Sequence, residues 1–523
     1  MRKHQFTGGV PTAFVFLAVF ASSCGGNQQK ATVQQLPDGG TTGGSDDGGS
    51  GSGAAGGTDG GTGSVTVSDG GSPSTGSGSG DGGTPASPDA LLPLWEYHTT
   101  TCMQFDGLAD AAGNLYWEEC GDTVNGVGRN WELVSVSPTG QQRFRIAVGL
   151  LRGAPIVLGE RLLLVESVLS SSACEQSLLI ALSTADGSVL WSHDVIPDIT
   201  AVQSFPNECP EALTGTPSAG PGDGTVIVAA KDYKPYDFAA FHDASILTFD
   251  AATGGLLSAV KREADGAGSP DLTLDEGGNV YSSDTITGTV FSLSPSGNPR
   301  WSRPADAVDF PAASTGGLLL ESARLPPELT SDILRIRDAS DGHVLTDVLH
   351  GGQPLAGPEG VTYLTVRDVA QYQTKWALVR VDPATGADRW VRFLDPSSES
   401  LPVGSRQDEL GLTEAIRTSA ETYAIATQHS SSNVNYHDPQ TIYDAPVLRE
   451  IDVAGTEVFS ATLAGAGAIG GPAALVNGQF TLAGRDPATQ EWWVRSYPFP
   501  GRTAATTGWS STRANMQRDQ RAR

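Results

Sequence analysis

Short apolar runs follow one another from about residue 91 to residue 500, and Gly, Pro, Asp or Asn separates each run from the next. Val, Ile, Leu and aromatic residues fill these runs, and no long stretch repeats with the 3.6-residue period of an amphipathic helix. The pattern therefore predicts an all-β chain of short strands joined by turns.

A turn phrase recurs among the predicted strands. Its clearest copy runs from Asp382 to Trp390, and weaker copies lie at 184–191, 250–254, 294–301 and 338–342. A repeat spacing of about 40 to 60 residues is typical of four-stranded propeller blades. One such unit cannot bury its own apolar face, so neighbouring units must stack.

Two markers count the predicted blades separately. Small residues or prolines near the start of an apolar strand give eight blades, at Ala109, Pro155, Pro217, Pro270, Pro311, Pro358, Gly411 and Pro472. The second marker is the residue four places after each turn glycine, which is an aromatic residue or a substitute for one. This marker gives seven blades, at Phe144, Trp191, Ser258, Trp301, Thr346, Trp390 and Phe459.

The second marker lacks an eighth copy, and we expect that copy at the N-terminal end of the predicted propeller. Trp95 stands in a segment like that around Trp191, yet no blade precedes it. We therefore expect the N-terminal strand to be the outer strand of the last blade, beside 492–497. In the alternative, a turn at 486–489 closes the last blade on itself and leaves the first strand spare. A seven-bladed ring is a further alternative.

The repeated turn has a physical reason. Glycine supplies the left-handed backbone conformation, and the Asp or Ser side chain caps nearby amides. A large tryptophan can pack between blades while its indole N–H finds a polar partner. The predicted repeat-docking residues are Trp95, Trp191, Trp301, Trp390, Gly187, Gly254, Gly297, Gly342 and Gly386.

The pattern Ala/Arg-x-Asp/Ser-x-x-Thr/Asp-Gly-x-x-x-Trp, carried by 181–191 and 380–390, resembles the docking motif of PQQ-like β-propeller repeats. The resemblance covers about 91–500 and implies membership of the quinoprotein alcohol dehydrogenase-like superfamily. That superfamily holds quinoprotein dehydrogenases and a non-catalytic, BamB-like branch of lipoproteins. The motif therefore implies the fold strongly and the function weakly.

Catalysis has little support in the sequence. The resemblance implies that a quinoprotein enzyme would have a calcium shell with Glu and Asn, a catalytic Asp, an Arg near the quinone and often a vicinal disulfide. No two cysteines are adjacent here, and no serine-hydrolase, zinc-protease or phosphate-loop motif occurs. We expect no enzyme activity, no catalytic residue, no metal and no cofactor.

The N-terminus is typical of an exported lipoprotein. A basic start and an apolar run precede Ala21-Ser22-Ser23-Cys24, which resembles a bacterial lipobox. Gly25 in place of Asp implies sorting to the outer membrane, whereas an ordinary signal peptide is the alternative. The expected domains are a signal peptide (1–23), the lipidated Cys24 with a disordered Gly/Ser/Asp-rich tether (24–90), the propeller (91–500) and a C-terminal tail (501–523).

Charge and cysteine content narrow the class of partner. The net charge of −27 argues against nucleic acid and against docking on anionic lipid, so membrane contact is expected through the lipid anchor only. Four cysteines follow Cys24, and an even number in an exported protein predicts the disulfides Cys102–Cys120 and Cys174–Cys209. We expect a monomer.

The loops carry the functional prediction. With strands A to D in each blade, the long insertions are B–C loops, at roughly 119–130, 168–176, 231–243, 322–331, 366–374 and 428–443. The predicted disulfides lie on the same face, and the candidate partner face is formed by Tyr233, Tyr236, Phe238, Phe241, Tyr372, Tyr436 and Tyr443.

We therefore expect a lipid-anchored, extracytoplasmic binding or scaffold module for protein partners, on the periplasmic or the cell-surface side of the outer membrane. The alternatives are a PQQ- and calcium-dependent oxidoreductase and a carbohydrate-binding propeller. Loops that only decorate the surface are also an open interpretation.

Overall fold

The described part of the chain is built almost entirely of β-strands. The computed structural model describes residues 64–67, 90–120, 123–124, 127–128, 131–151, 153–169, 175–202, 211–214, 217–220, 224–233, 244–262, 272–284, 289–304, 310–324, 332–349, 352–357, 360–370, 373–394, 406–433, 441–465 and 467–504. One short helix, α1 (Ile196–Val202), occurs among these residues.

The strands form eight blades, numbered I to VIII in the order of their inner strands. Two strands precede blade I: β1 (Ser64–Val67) and β2 (Trp95–Thr99). Blade I contains β3 (Met103–Ala109), β4 (Leu115–Cys120), β7 (Trp131–Val136) and β8 (Gln142–Val148), with the small hairpin β5 (Thr123–Val124) and β6 (Val127–Gly128) between its B and C strands. Blade II contains β9 (Leu150–Leu151), β10 (Ile156–Leu158), β11 (Arg161–Leu169), β12 (Glu175–Ser183) and β13 (Val189–Asp194).

The middle blades follow in chain order. Blade III contains β14 (Glu211–Thr214), β15 (Ser218–Ala219), β16 (Thr225–Tyr233), β17 (Ala244–Asp250) and β18 (Leu256–Arg262). Blade IV contains β19 (Thr273–Leu274), β20 (Val280–Asp284), β21 (Thr289–Leu293) and β22 (Pro299–Pro304). Blade V contains β23 (Phe310–Thr315), β24 (Leu318–Arg324), β25 (Asp332–Asp338) and β26 (Val344–Leu349).

The last blades complete the ring. Blade VI contains β27 (Gly352–Gly357), β28 (Gly360–Ala370), β29 (Gln373–Val381) and β30 (Asp388–Phe393). Blade VII contains β31 (Arg406–Leu412), β32 (Ile416–Arg417), β33 (Tyr423–Asn433), β34 (Thr441–Tyr443), β35 (Val447–Ile451) and β36 (Glu457–Thr462). Blade VIII contains β37 (Ala468–Val476), β38 (Gln479–Arg485) and β39 (Trp492–Pro498), and β2 is its outer strand.

The predicted closure by the N-terminal strand is confirmed. β2 pairs with β39 in an antiparallel register that runs from Trp95 opposite Ser496 to Thr99 opposite Trp492. The turn at 486–490 joins β38 to β39, so the last blade does not close on itself. The prediction of eight blades rather than seven is confirmed as well.

The predicted tether contains one strand that the sequence interpretation missed. β1 pairs antiparallel with β2, with Ser64 opposite His98 and Val67 opposite Trp95. Its sequence, Ser-Val-Thr-Val, is β-branched at three successive positions in an otherwise glycine-rich segment. Such residues favour the extended conformation, which explains why this segment pairs. The predicted signal peptide, Cys24 and the tail beyond Ala504 lie outside the described residues.

The first blade marker locates some strand starts and misses others. Pro155 immediately precedes β10 and Pro311 is the second residue of β23, whereas Ala109 is the last residue of β3. Pro270 and Pro358 lie outside the described residues.

The core lies between neighbouring blades. Leu334 and Val348 of blade V, for example, pack in one buried cluster with Tyr363 and Val379 of blade VI. Burial of this kind stacks each sheet on the next, as a chain of repeats requires.

Candidate functional site

The propeller has two faces with different roles. The turn face is formed by the A–B and C–D turns, and the loop face is formed by the B–C loops and the links from strand D to the next strand A. The geometry of each face decides which one is available for binding.

On the turn face, outer strands dock against the C–D turn of the next blade. A Cβ placed on Gly254 would lie 2.5 Å from the Trp191 indole, and one on Gly342 would lie 2.5 Å from that of Trp301. Both glycines have positive φ, at +72° and +76°. Only glycine therefore fits these positions, for conformation and for space.

Four tryptophans make the same hydrogen bond to the next blade. In each case the indole N–H donates to the carbonyl oxygen of the residue after the first Asp or Ser of the neighbouring turn. The pairs are Trp95 with Pro138 at 3.1 Å, Trp191 with Ala251 at 3.2 Å, Trp301 with Ala339 at 3.1 Å and Trp390 with Val453 at 2.7 Å.

A β-bulge precedes the docking position in seven blades. In blade II, Trp191 lies opposite Ala181 and Val189 lies opposite Leu182, so Leu190 has no partner in the ladder. The equivalent bulged residues are Arg143, Leu257, Arg300, Leu345, Arg389 and Val458. A bulge bends its strand and changes the direction of the next side chain, which here points to the neighbouring blade.

Blade III uses a different docking residue from the one that its turn spacing indicates. A Cβ on Gly297 would meet Val260, which lies two residues beyond Ser258. In a strand, residues two apart lie on the same face, and the serine side chain is too short to fill the space. In blade V, by contrast, the small Thr346 does contact its glycine, since a Cβ on Gly386 would lie 2.7 Å from Thr346 Oγ1.

A second repeated network was missed in the sequence. In blade I, Asp110 accepts hydrogen bonds from the Asn114 backbone N–H at 2.9 Å, from the Asn114 side chain at 2.7 Å and from the Tyr116 hydroxyl at 2.7 Å. In blade IV, Asp275 accepts the same three bonds from Asn279 and Tyr281, at 2.8, 2.7 and 2.7 Å. The shared spacing Asp-x-x-x-Asn-x-Tyr is the signal that could have revealed it.

The bulged arginines complete this network. Arg143 donates to Tyr116 at 3.3 Å, and Arg300 donates to Tyr281 at 3.1 Å. Burial and the bond to Asp275 raise the pKa of Tyr281 to about 12. The turn face of these blades is thus held by a repeated network of part-buried hydrogen bonds.

The loop face is braced where the two ends of the ring meet. Buried Glu119 accepts hydrogen bonds from Tyr97 at 2.7 Å, Trp117 Nε1 at 3.0 Å, Thr99 at 3.1 Å and Thr101 at 3.1 Å, and it pairs with Arg145 at 2.9 Å. Five donors offset the cost of burying this carboxylate.

The disulfide Cys102–Cys120 lies beside this carboxylate. It joins the link that follows β2 to the end of β4, and this is the first of the two predicted pairings. Cys174 and Cys209 lie outside the described residues.

Two neighbouring blades have long B–C hairpins on the loop face. β28 pairs with β27 only as far as Thr365, and β29 meets β30 only from Ala377, so residues 366–370 and 373–376 continue beyond both neighbouring strands. β33 pairs with β35 only as far as Thr427, then continues to Asn433 against β31. We call the described parts of 366–376 and 428–444 the hairpin ridge.

The base of the hairpin ridge is fixed to the next blade. Gln428 donates to the carbonyl oxygens of Asp444 at 2.8 Å and Gly467 at 2.7 Å, and it accepts from the Ile469 N–H at 2.8 Å. The side chain of Asp444 nevertheless faces solvent, since it is 68% exposed.

The predicted aromatic residues are only partly described. Tyr443 lies half-buried on the hairpin ridge, with its strand paired to β33 at Ser430. Tyr233 ends β16 in blade III, away from the ridge. Tyr236, Phe238, Phe241, Tyr372 and Tyr436 lie outside the described residues.

Three buried glutamates in three different blades are each paired with an arginine: Glu119 with Arg145, Glu321 with Arg337 and Glu450 with Arg502. Within the described part of the chain, one group of three possible metal ligands occurs: Asp338, Asp341 and His343, on the C–D turn of blade V. This group lies on the turn face at an outer strand and belongs to a capped turn.

Part of this chain resembles a known protein family. A family profile described as "Outer membrane protein assembly factor BamB" matches residues 242–461. A search among curated proteins gave no match. Within the described ranges, no helix is both long enough and apolar enough to span a bilayer.

Solved structures similar to this chain include, by their titles, BamB and two dehydrogenases. BamB from Moraxella catarrhalis is 12% identical with a TM-score of 0.40, and the match covers 78% of this chain and 100% of that one. Quinohemoprotein alcohol dehydrogenase from Comamonas testosteroni is 10% identical with a TM-score of 0.42, covering 78% and 77%. A europium-containing methanol dehydrogenase is 8% identical with a TM-score of 0.38, covering 78% and 93%.

The chain is similar to PQQ-like β-propeller proteins in its repeated turns, its eight blades and the profile match over residues 242–461.

Proposed function

We propose that this chain is a lipid-anchored, extracytoplasmic and non-catalytic scaffold that binds a protein partner through its loop face. The observation that carries the proposal is the hairpin ridge on blades VI and VII. Binding residues commonly lie on loops that a rigid scaffold holds in place, and this ridge stands on a fixed base. The turn face, by contrast, is occupied by contacts between blades.

The chemistry of the loop face favours a protein partner. Tyrosine and phenylalanine are enriched at protein interfaces, and these residues recur in the B–C loops. The net charge of −27 disfavours nucleic acid and anionic lipid. The matched profile names an outer membrane protein assembly factor, and by that likeness we propose a partner in the periplasm or the outer membrane.

The location is part of the proposal. A disulfide is typical of an oxidising compartment, and the lipobox at Cys24 favours an acylated N-terminus. Acylation is tested by mass spectrometry of the N-terminal peptide and by Cys24→Ser, which is expected to release the protein from membranes. A Cys24→Ser protein that stays with the membrane would contradict the anchor.

A pair of charge reversals tests the binding face. Asp444→Lys changes an exposed residue of the hairpin ridge, and Glu276→Lys makes the same change on an exposed A–B turn of blade IV. We expect Asp444→Lys to lower recovery of the partner in affinity capture, while Glu276→Lys leaves it at the parent level. Both variants keep the circular dichroism spectrum and Tm of the parent. Equal recovery with the two variants would contradict the assignment of the face.

The absence of catalysis has its own test. The purified chain, supplied with PQQ and calcium, is expected to give no dye reduction with alcohols or sugars above the protein-free rate. Substrate-dependent reduction would assign the chain to the quinoprotein enzymes instead.

A further inference from the structure

The outer strand of each blade has an exposed edge. Its outward N–H and C=O groups can template pairing with another strand, and proteins commonly blunt such edges with bulges or prolines. In seven blades the outer strand carries a bulge at its second residue. β22 also begins with Pro299 and ends with Pro304.

β2 is the exception among these outer strands. Its five residues pair with β39 without a shift of register, from Trp95 to Thr99. A regular ladder on the inner side leaves a regular row of hydrogen-bonding groups on the outer side. β2 is also the outer strand to which a fifth strand, β1, is paired.

The strand that occupies this edge is poorly suited to permanent pairing. β1 has only four residues, and residues 68–94 separate it from β2. Closing a loop of that length opposes the pairing, and only four residue pairs with β2 offset it. β1 is therefore suited to exchange with another strand.

We propose that the outer edge of β2 is a strand-acceptor site for an extended, uncharged, β-branched segment of a partner protein. The segment runs antiparallel to β2, and main-chain hydrogen bonds supply its affinity. Ser64–Val67 is the intramolecular ligand of this site, and its sequence and direction indicate the chemistry of the strand that replaces it. This site lies on the outer rim of the ring and is separate from the hairpin ridge.

The surroundings of the edge fit an apolar, extended ligand. Leu92 and Leu94, immediately before β2, are 71% and 38% exposed. Glu96 is held by an ion pair with Arg495 of β39, so this charge is neutralised beside the site. The edge therefore offers apolar rim contacts next to its backbone groups.

Hydrogen exchange on the full chain tests the site. The unclipped variant carries Val65→Pro and Thr66→Pro, which remove backbone donors from β1. Its matched control carries Thr58→Pro and Thr62→Pro, which lie outside β1. The probe is a synthetic peptide of residues 60–70, and its control peptide has proline at the two positions that match Val65 and Thr66.

We expect the outward amides of β2 to exchange about ten-fold faster in the unclipped variant than in the control variant. The probe peptide is expected to restore their protection in the unclipped variant, while the proline-containing peptide is not. Unchanged exchange in the unclipped variant, or no protection by the peptide at millimolar concentration, would overturn the proposal. Protection that returns only as a dimer forms would assign the edge to a second copy of the chain and also overturn it.

Discussion

Trp95 packs against Gly140, although Trp95 lies on the outer strand of blade VIII and Gly140 lies in the C–D turn of blade I. A Cβ on Gly140 would lie 2.6 Å from both Cβ and Cγ of Trp95. The same indole donates to the carbonyl oxygen of Pro138. The last blade therefore docks on the first as Trp191 docks on blade III, and the closed ring has no exposed end sheet.

Substitution of Gly140 by alanine tests this contact. Gly140→Ala meets the stem of Trp95, which cannot rotate away, and it also strains a residue with φ of +81°. We expect the free energy of unfolding to fall by about 2–4 kcal/mol, from left-handed strain plus overpacking. Denaturant titration followed by tryptophan fluorescence measures the change.

Gly471→Ala is the matched control for this strain. Gly471 has φ of +80°, and a Cβ there would meet nothing within 4 Å. We expect a loss of about 1–2 kcal/mol from backbone strain alone. Equal losses for the two variants would show that the Trp95 contact does not limit the size of the residue at 140.

Blade III offers a test of the docking register. Val260→Ala empties the space beside Gly297 and is expected to lower the free energy of unfolding by about 1–2 kcal/mol. Ser258→Ala is expected to change the free energy of unfolding by less than about 0.5 kcal/mol, since no Ser258 atom is among those nearest a Cβ added to Gly297. The reverse order of effects would restore Ser258 as the docking residue.

The repeated turns made much of the fold predictable from the sequence. Glycine with positive φ and a tryptophan four residues later have few alternative uses, so Gly187 with Trp191 and Gly386 with Trp390 indicate blades directly. Val260 was not predictable, because a bulge and a strand twist decide which side chain reaches the neighbouring glycine. The network around Asp110 was missed because its residues are common in ordinary turns.

The candidate site was less predictable than the fold. Loop length indicated the loop face. The hairpin ridge, however, depends on how far β28 and β33 extend beyond the strands that pair with them. That difference follows from pairing across three strands and has no local sequence signal. The pairing of Ser64–Val67 with β2 depends in the same way on a distant strand.

The Tyr281 network predicts a loss of stability at alkaline pH. Burial, with the bond to Asp275, raises the pKa of Tyr281 from 10.0 to about 12 in the folded chain. The folded state therefore holds this proton more tightly than the unfolded state does. The contribution is complete below pH 10 and is lost as the pH rises from about 10 to 12.

Tyr281→Phe is the variant that isolates this effect. It is expected to lower the free energy of unfolding by about 1–2 kcal/mol at pH 8, because the bonds to Asp275 and Arg300 are lost. Its stability should then fall less steeply than that of the parent between pH 10 and 12. An identical pH slope in the two proteins would contradict a coupled hydroxyl. Urea titration at each pH gives the comparison.

The Cys102–Cys120 disulfide is expected to stabilise the closure of the ring. The pair spans 18 residues, and a loop of that size corresponds to about 3 kcal/mol in the chain-entropy model. The double variant Cys102→Ser and Cys120→Ser should lose about that much stability under oxidising conditions. Peptide mapping without reductant should recover the two cysteines in one linked species. Unchanged stability of the double variant would show that the bond does not brace the ring.

The most direct test of the proposed function is site-specific photo-crosslinking in the cells that express the protein. One full-length variant carries a photoreactive amino acid at position 444 on the hairpin ridge, and the other carries it at position 276 on the turn face. We predict one dominant crosslinked protein from position 444, identified by mass spectrometry, with no such species from position 276. Excess unlabelled parent protein should reduce this crosslink more than excess Asp444→Lys protein does. The same species from position 276, or none from position 444, would contradict partner binding through the loop face.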